Sequence, residues 1–370
     1  MKIVYVFRSL AVRGGIERIL TDKMNWLVEH GHEVTMLTTD QGSHPVPYTV
    51  DKRVRFTDLG ICFHYQYRFS GLHRLFDMWR RNRRYARMVD EQLRKEQADV
   101  IVCATTSGAD VLARKKGRTP LVVESHSIFQ RLADVGRLRF VQRFRLLRAL
   151  RSADVLVALT EGDAVQWRKK LDHVVVIPNM VHAPKEPQRA DLKARRAIFA
   201  GRFDAQKQVD HLLRVWQIVQ QRFPDWVLAV YGEGPLRGWM QDEVRRLGLH
   251  VELNEPASNI FQCYAQCSVL LLTSEFEPFG LVLTEAMSCG LPVVAYDCPY
   301  GPRTIINDGE DGLLVPAGDV GAFAEALARL MADESLRRQF GARAMVTAKK
   351  FDAALVMPRW VDLFQNLTKR

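Results

Sequence analysis

The chain has 370 residues, of which 47% are hydrophobic, so it can bury substantial cores, and its length predicts two domains rather than one. No apolar run approaches the roughly 18–20 residues that span a bilayer. The N-terminal MKIVYVFRSL is too short for a signal peptide, because Arg8 and then Arg13 follow too early. The net charge is +11, and residues 1–183 hold 31 Lys and Arg against 19 Asp and Glu. We therefore expect the first half to face an acidic partner, which is anionic lipid, an acidic glycan or nucleic acid.

Short β-branched runs alternate with helical patterns along the chain, which is typical of parallel sheets covered by helices. In the first half the predicted strands are KIVYVF, EVTMLT, VRFTDL, DVIVCAT, PLVVES, DVLVALT and VVVIPN. A polar, Pro-containing stretch at 182–194 predicts a linker, and the strands predicted after it are RAIFAGRF, WVLAVYGEG, HVELNE, SVLLLTS, PVVAYD and GLLVPA. We therefore expect an α/β protein with two doubly wound, Rossmann-like domains at 1–183 and 195–352, with ligands at the carboxyl ends of their strands. A last helix at about 353–370 is expected to pack back across the domain junction.

The first motif in chain order is the pair Gly14 and Gly15, between the first strand and a helix. Glycine lets a backbone approach a ligand closely, and the N-terminus of a helix offers free N–H groups to an anion. The G-x-G-x-x-G fingerprint of dinucleotide sites is absent here. The pair is consistent with either a ligand contact or a tight turn.

The segment from Arg74 to Lys95 predicts an amphipathic helix. On a helical wheel one side holds Leu75, Met78, Trp79, Ala86, Val89 and Leu93, and the other holds Arg80, Arg83, Arg84, Arg87 and Arg94. Two interpretations stay open. Either the apolar side packs on a core and the basic side is simply solvated, or the basic side also docks on an anionic membrane.

His126, in VVESHSIF, comes just after a predicted strand. A histidine at a strand end is well placed to hydrogen-bond a substrate hydroxyl or to accept a proton. A structural histidine with satisfied hydrogen bonds is the alternative.

Two loops of the second half follow predicted strands and carry residues suited to a nucleotide. Arg202 and Lys207, five residues apart in AGRFDAQKQVDHLL, could clamp a diphosphate and stabilise the charge of a leaving group. In YGEGPLR, Gly232 and Gly234 predict a turn of close approach, where Glu233 or the backbone would meet a nucleoside.

The most informative pair is Glu277 and Glu285, in EFEPFGLVLTEAMSCGLPVVA. Pro278 and Gly280 break regular structure, and a helix is predicted from Leu281. Glu277 is therefore expected in the loop before the helix, and Glu285 about 7.5 Å along its axis from Gly280. The first-turn N–H groups between the two acids attract an anion such as phosphate. A ligand with two hydroxyl-bearing sugars joined by a diphosphate fits this arrangement.

The six cysteines and the acidic residues give no metal pattern. Cys263 and Cys267 lie one helical turn apart without a nearby His or second Cys pair for zinc, and the chain has no Asp-x-Asp pair. Reduced core thiols and a cytoplasmic compartment are therefore expected.

At this point the ordered motifs resemble a family. GGIER, ESH, IPN, GRF…QK, YGEGPL, the E-x7-E pair and DGLLVPAGD match, in order, the family 4 retaining glycosyltransferases of the GT-B fold, along nearly the whole chain. YDCPYGPRTIINDGEDG is especially like enzymes that build bacterial surface polysaccharides and lipid-linked oligosaccharides. The resemblance implies two Rossmann-like domains that face each other across a cleft, with acceptor bound by the N-terminal domain and nucleotide sugar by the C-terminal domain. LNEPASN departs from the usual Gly-containing base loop, which leaves the nucleotide open.

The resemblance also implies roles for single residues. Glu277 would bind donor sugar hydroxyls, Glu285 the ribose, and His126 the donor sugar near the reacting centre. Other implied donor contacts are the diphosphate clamp Arg202 and Lys207, the backbone at Phe279, Gly280 and Leu281, and the glycine pair Gly14 and Gly15. No metal or other cofactor is implied.

The sequence thus predicts a metal-independent enzyme that moves a sugar from a nucleotide-diphosphate sugar to a glycan or lipid-linked acceptor with retention. Its expected place is the cytoplasm, either free or peripheral on an anionic inner membrane face, without nucleic acid. Two alternatives stay open: a GT-B sugar-nucleotide epimerase, and a non-catalytic protein that binds nucleic acid or membrane.

Overall fold

The computed structural model of the chain describes residues 1–106, 108–133, 139–181 and 188–369. These residues divide into two compact units. The first unit holds the chain up to Ile177 together with residues from Met357 onward, and the second runs from Pro178 to Val356. The chain therefore enters the second unit once and then returns to the first.

The linker predicted at 182–194 lies partly outside the described residues, from 182 to 187. In its remainder, the Ala190 N–H donates to the Cys289 carbonyl at 2.9 Å, and the Arg337 Nε–H donates to the Leu192 carbonyl at 3.0 Å. This part of the segment is therefore fixed to the second unit.

The first unit is built on one parallel sheet. Its strands are β1 (Lys2–Phe7), β2 (Glu33–Thr38), β3 (Arg55–Asp58), β4 (Val100–Cys103), β5 (Leu121–Ser125), β6 (Val155–Ala158) and β7 (Val174–Val176). Within the described residues they form a seven-stranded sheet in the order β3-β2-β1-β4-β5-β6-β7, and Val4 of β1 pairs with Thr35 on one side and Ile101 on the other. Apolar residues dominate the central strands and are buried, as expected for a parallel sheet covered on both faces.

Helices cover this sheet. They are α1 (Gly15–Glu29), α2 (Gly71–Glu96), α3 (Ala109–Lys115), α4 (Arg139–Arg151) and α5 (Glu161–Arg168), with 3₁₀ turns at Phe63–Arg68 and Phe129–Ala133. Val89 of α2, Leu112 of α3 and Trp167 of α5 are fully buried in the same core. The core of this unit therefore lies between the sheet and these helices.

The second unit repeats the plan. Its strands are β8 (Arg196–Ala200), β9 (Val227–Tyr231), β10 (Val251–Asn254), β11 (Val269–Leu272), β12 (Val293–Asp297) and β13 (Gly312–Pro316). Among the described residues they form a six-stranded parallel sheet in the order β10-β9-β8-β11-β12-β13. Phe199, Trp216 and Phe323 are fully buried in its core.

The remaining helices follow in chain order. They are α6 (Val209–Arg222), α7 (Arg237–Leu247), α8 (Ile260–Ala265), α9 (Leu281–Ser288), α10 (Pro302–Ile305), α11 (Val320–Ala332), α12 (Glu334–Ala348) and α13 (Ala353–Thr368), with 3₁₀ turns at Ala205–Lys207 and Lys349–Phe351. Asp319 and Asp333 cap α11 and α12 by accepting hydrogen bonds from first-turn N–H groups, which fixes where these helices begin. The last helix, α13, begins in the second unit and ends in the first.

Each sheet reverses its strand order at one place, between β1 and β4 in the first unit and between β8 and β11 in the second. Ligands of doubly wound sheets bind beside the carboxyl ends of the strands at such a switch point. Every predicted strand segment contains an observed strand, and the prediction of two doubly wound sheets is confirmed.

The apolar side of α2 is buried over only part of its length. Leu75, Met78 and Trp79, which the helical wheel puts on that side, are exposed. Burial is confined to the C-terminal half, at Tyr85, Val89 and Leu93. The helical period was correctly predicted, but the pattern does not tell where along a helix the core ends.

Two further expectations concern membrane-spanning segments and the state of the cysteines. Within the described ranges, no helix is both long and apolar enough to cross a membrane. All six cysteines lie in those ranges and are free thiols, and four of them, Cys103, Cys267, Cys289 and Cys298, are buried.

Candidate active site

The loops that follow β8 and β11 meet at the switch point of the second sheet. The Glu275 N–H donates to the Gln206 carbonyl at 2.8 Å, and Thr273 Oγ1 donates to the Lys207 carbonyl at 2.9 Å. This junction brings together two residues that are 70 positions apart, since Lys207 Nζ lies 2.5 Å from Glu277 Oε1. The side chains are only 16% and 7% exposed, respectively. The sequence predicted both residues for the site, and the structure joins them in one largely buried ion pair.

Hydrogen bonds fix both the side chain and the main chain of Glu277. Ser274 Oγ donates to the same oxygen, Oε1, at 2.6 Å. The main chain is fixed as well, because its N–H donates to the Pro299 carbonyl at 2.7 Å while its carbonyl accepts from the Tyr300 and Gly301 N–H groups at 2.8 and 2.9 Å. Because both side-chain bonds converge on Oε1, the other carboxylate oxygen, Oε2, is the acceptor left for a ligand hydroxyl.

Two glycines shape the loop between Glu277 and α9. A Cβ on Gly301 would lie 1.8 Å from the Phe279 carbonyl oxygen, so only glycine permits this close approach. Gly280, with φ +98°, precedes α9 in a left-handed conformation that favours glycine. The Phe279 side chain is buried and packs edge-on against Phe351, with ring centroids 5.3 Å apart. The sequence predicted backbone contacts to the donor at Phe279, Gly280 and Leu281. The backbone of these residues leads directly into the first turn of α9.

Glu285, the second acid of the pair, is buried on α9. The Tyr264 hydroxyl, on α8, donates a hydrogen bond to Glu285 Oε2 at 3.2 Å, and Ser288 Oγ donates one to the Glu285 carbonyl at 2.6 Å. The first N–H groups of α9 lie between the two acids along the chain, and first-turn N–H groups have no acceptor within their own helix. This arrangement can receive an anion between two hydroxyl-binding carboxylates.

Arg202 lies in the same loop as Lys207 but in a different environment. Its side chain is exposed, and its Nε–H donates to Asp204 Oδ2 at 2.9 Å. Asp204 in turn accepts from the Lys207 N–H at 3.1 Å and caps the 3₁₀ turn. The structure therefore places Arg202 at the edge of the loop and Lys207 inside it.

The turn after β9 makes its close approach to the protein itself. A Cβ on Gly232 would lie 1.9 Å from the Gly201 carbonyl oxygen, and one on Gly234 would lie 2.5 Å from the Phe203 carbonyl oxygen. These glycines let the β9 turn press against the β8 loop and so help to place Lys207. Glu233 between them is exposed.

In the first unit, His126 belongs to a buried cluster of charges. Glu124 Oε2 accepts from Lys23 Nζ at 2.7 Å and from His126 Nε2 at 2.9 Å, and all three side chains are almost completely buried. Burial raises the pKa of Glu124, but the charge of Lys23 and the hydrogen bond from His126 outweigh it and hold this pKa at about 2. The carboxylate is then only an acceptor, so Nε2 carries the proton and Nδ1 is the ring nitrogen left for a ligand.

The glycine pair of the first unit caps a helix. Gly14 precedes α1 in extended backbone, and its carbonyl accepts from the Arg18 N–H at 3.1 Å and from the Tyr48 hydroxyl at 3.3 Å. Gly15 is the first residue of α1. The predicted place at a helix N-terminus is thus observed for both residues.

The sequence did not single out several residues of these clusters, among them Ser274, Tyr264, Gly301, Lys23 and Glu124. Glu124 carried a usable signal, because a charged residue inside an otherwise apolar strand is rarely left unpaired. Lys23 stands 101 positions away from it, and no local pattern identifies such a partner. Among the described residues, no group of three or more His, Cys, Asp or Glu side chains could hold a metal ion.

Comparison with known proteins gives two consecutive family matches. A model described as "Glycosyltransferase Family 4" matches residues 13–184, and one described as "Glycosyl transferases group 1" matches residues 183–346. Between them the two models cover most of the chain, each matching one half of it.

Individual proteins are similar over different lengths. The exopolysaccharide phosphotransferase SCO2592 of Streptomyces coelicolor is 38% identical over 61% of this chain, but the match spans only 24% of that protein. The GalNAc-α-(1→4)-GalNAc-α-(1→3)-diNAcBac-PP-undecaprenol α-1,4-N-acetyl-D-galactosaminyltransferase of Campylobacter jejuni is 26% identical over 99% of both chains. TarM of S. aureus, solved with fondaparinux, α-GlcNAc-glycerol and UDP, covers 98% of this chain and 99% of its own, with a TM-score of 0.83 at 14% identity. The last similarity shows a shared fold.

Proposed function

We propose that this chain, which belongs to the glycosyltransferases of group 1 and family 4 and has the GT-B fold, moves a sugar from a nucleotide-diphosphate sugar to an acceptor hydroxyl with retention of configuration. The observation that carries the proposal is the buried pair of Lys207 and Glu277 beside the N-terminus of α9. It sets a cation for phosphate next to a carboxylate for sugar hydroxyls.

Each member of the site then has a task at the donor. Glu277 Oε2 accepts hydrogen bonds from sugar hydroxyls, Lys207 and Arg202 neutralise the diphosphate, and Glu285 binds the ribose hydroxyls. The N-terminus of α9 receives a phosphate through its free N–H groups. Donor contacts are proposed also for the nucleoside turn at Gly232 and Glu233 and for the helix start at Gly14 and Gly15.

The proposed reaction proceeds on one face of the sugar. The acceptor oxygen bonds to the anomeric carbon on the side from which the nucleotide diphosphate leaves, and an oxygen of that diphosphate takes the acceptor proton. His126 contacts the donor sugar near this centre, oriented by its bond to Glu124. No side chain needs to act as a covalent nucleophile, and Lys207 with Arg202 supplies the positive charge that a metal would otherwise provide.

Bacterial surface polysaccharide or lipid-linked oligosaccharide synthesis is the proposed setting. The name of the C. jejuni relative specifies an undecaprenol-linked acceptor, and the TarM structure contains UDP. We therefore take UDP-sugars as first donors and a glycan or lipid-linked sugar as acceptor. The excess of basic residues in 1–183 supports work at the anionic inner face of a membrane.

The test is a transfer assay with UDP-, GDP- and ADP-sugars, in which NMR reads the anomeric configuration of the product. Glu277→Gln removes the charge of the donor carboxylate, and we expect kcat to fall by about 10²–10³-fold. Glu275→Gln, two residues away and exposed, is the matched control and should keep wild-type rates. Added EDTA should leave the rate unchanged.

Four results would contradict parts of the proposal. Equal rates for the two variants would show that Glu277 is not in the site. Activity lost in EDTA and restored by Mn²⁺ would overturn metal independence, and an inverted product would overturn retention. Conversion of the nucleotide sugar without acceptor would instead indicate an epimerase.

A further inference from the structure

The N-terminal half of α2 carries an apolar stripe that faces solvent. Leu72, Leu75, Phe76 and Trp79 are 82%, 57%, 62% and 52% exposed, respectively. Their spacing of three, four and seven residues puts them on one side of the helix, where an ordinary surface helix would turn them towards a core. Phe76 and Trp79 stack on each other with ring centroids 5.8 Å apart. A contiguous exposed stripe of this kind marks an interaction surface.

The inward side of the same half-helix is already occupied by polar contacts. Arg81 Nε donates to Asp77 Oδ2 at 2.6 Å, and Arg81 Nη1 donates to the Ile61 carbonyl at 2.6 Å. Apolar burial begins one turn later, at Tyr85. The helix is therefore anchored to its own unit through Arg81, and this anchor leaves the stripe uncovered.

The charges beside the stripe favour an anionic partner. Arg80, Arg83, Arg84 and Arg87 are exposed, and Arg83 lies over the Trp79 ring at 4.8 Å. None of the four forms an ion pair within the part of the chain that the structure describes. The acid of this half-helix, Asp77, is bound to Arg81, so it does not offset the positive charges beside the stripe.

A polyanion such as nucleic acid would satisfy the arginines but would leave Leu72, Leu75 and Phe76 in water. An anionic bilayer satisfies both, because aliphatic and aromatic side chains enter the boundary between head groups and acyl chains while arginines reach the phosphates. Tryptophan prefers this same interfacial depth.

A cavity of about 300 Å³ lies beside this surface, at the carboxyl ends of β1, β2 and β4. Its wall includes Tyr67 of the 3₁₀ turn and Asn82 and Tyr85 of α2, together with Arg8 and Thr105 after the strands. Hydroxyl, amide and aromatic groups in one cavity are suited to a sugar. The cavity and the stripe therefore share the segment 63–85.

We propose that the stripe of α2 inserts into an anionic bilayer and that the acceptor is lipid-linked, with its lipid in that bilayer and its sugar end in the cavity. This inference rests on the proposed function and narrows the acceptor from any glycan to a membrane-borne one. It also changes the expected character of membrane binding, since insertion of apolar side chains resists salt and attraction between charges does not.

The experiment is sedimentation with vesicles of phosphatidylglycerol and phosphatidylcholine at low and high salt. In the stripe variant, Leu72, Phe76 and Trp79 are replaced by Ser; in the control variant, three exposed apolar residues of the second unit, Trp239, Val346 and Leu355, are replaced by Ser. We expect the wild type to keep part of its binding at high salt, and the stripe variant to bind about tenfold or more weakly. The control should bind as the wild type does.

A second readout uses two acceptors, one lipid-linked in vesicles and one soluble and short. The stripe variant should lose rate only on the vesicle acceptor. Vesicle binding equal to wild type, or an equal loss of rate on both acceptors, would overturn the proposal, as would binding of the wild type to duplex DNA and not to vesicles. Sedimentation does not depend on turnover. If the protein binds vesicles through the stripe but transfers no sugar, the proposed function is wrong and the docking surface is still supported.

Discussion

Glu124 is completely buried and carries a full charge. Its two carboxylate oxygens differ in their hydrogen bonds. Oε2 accepts from Lys23 and from His126, whereas Oε1 is buried without a hydrogen-bond partner in the described structure. Burial also lowers the pKa of Lys23 and raises that of the neighbouring Tyr5 hydroxyl well above its usual range. Removing one member of such a cluster leaves the others charged and unpaired, which costs more than the pair itself contributes.

Low pH should therefore lower the stability of the first unit, because Glu124 becomes protonated. The pKa of Glu124 lies at about 2 in the folded chain against an ordinary 4.5, so its contribution is complete above pH 4.5 and is lost as the pH falls through about 2. Glu124→Gln should be less stable than wild type at pH 7 by about 3–5 kcal/mol. The difference in the free energy of unfolding between wild type and Glu124→Gln should narrow by roughly 3 kcal/mol between pH 6 and pH 2. Chemical denaturation at several pH values measures both.

Asp51→Asn is the matched control for this prediction. Asp51 is paired with Arg53, but this pair lies at the surface, where water screens it. The stability difference between Asp51→Asn and wild type should therefore be smaller, and should narrow less between pH 6 and pH 2. If the difference for Glu124→Gln narrows no more than the difference for Asp51→Asn, Glu124 is not charged in the folded protein.

At the scale of elements, backbone hydrogen bonds fix the loop that carries Glu277 to the segment that follows β12. The segment that carries Tyr300 and Gly301 donates two N–H groups to the Glu277 carbonyl, and glycine at 301 alone permits this approach. Gly301→Ala should push the loop aside at a cost of about 1–3 kcal/mol, typical of overpacking. Since Glu277 moves with the loop, kcat/KM should fall with it, as steady-state kinetics and thermal unfolding will measure.

Gly238→Ala provides the comparison. No atom lies within 4 Å of the added Cβ, and the residue is inside α7, where alanine is favoured over glycine by about 0.5–1 kcal/mol. Its Tm should stay or rise and its kinetics should not change. Wild-type kinetics in Gly301→Ala would mean that Glu277 tolerates displacement, against the role given to it.

Local patterns predicted the elements well, and they failed where tertiary contact decides. The strands in the described part of the chain were all predicted, because short apolar runs bounded by turns are a local signal. The helical period of α2 was found too, but the loss of its core contact before Tyr85 depends on what the rest of the unit places beneath it. The E-x7-E pair and Lys207 were found as motifs. The bond between Lys207 and Glu277 was not, because 70 residues separate them and only the strand order brings their loops together.

For the whole molecule, the ordered motifs predicted the family and the GT-B fold, and both are confirmed. The return of the chain to its first unit has an energetic consequence that no motif showed. Trp360 of α13 is buried, and Lys23 Nζ lies 3.5 Å from the centre of its ring. Arg359 donates to the Val176 carbonyl in the same unit. The C-terminal helix thus completes the charged cluster that holds His126.

Trp360→Ala should therefore destabilise the first unit, although the residue is close to the C-terminus. Loss of a buried tryptophan typically costs about 3–5 kcal/mol, and here the ammonium of Lys23 loses its aromatic neighbour as well. Hydrogen exchange should show reduced amide protection in β1 and β5 while β8 and β11 keep theirs. Leu355→Ala, exposed on the same helix, should leave both units unchanged. Equal loss of protection in the two units, or none in β1 and β5, would mean that α13 does not stabilise the first unit separately.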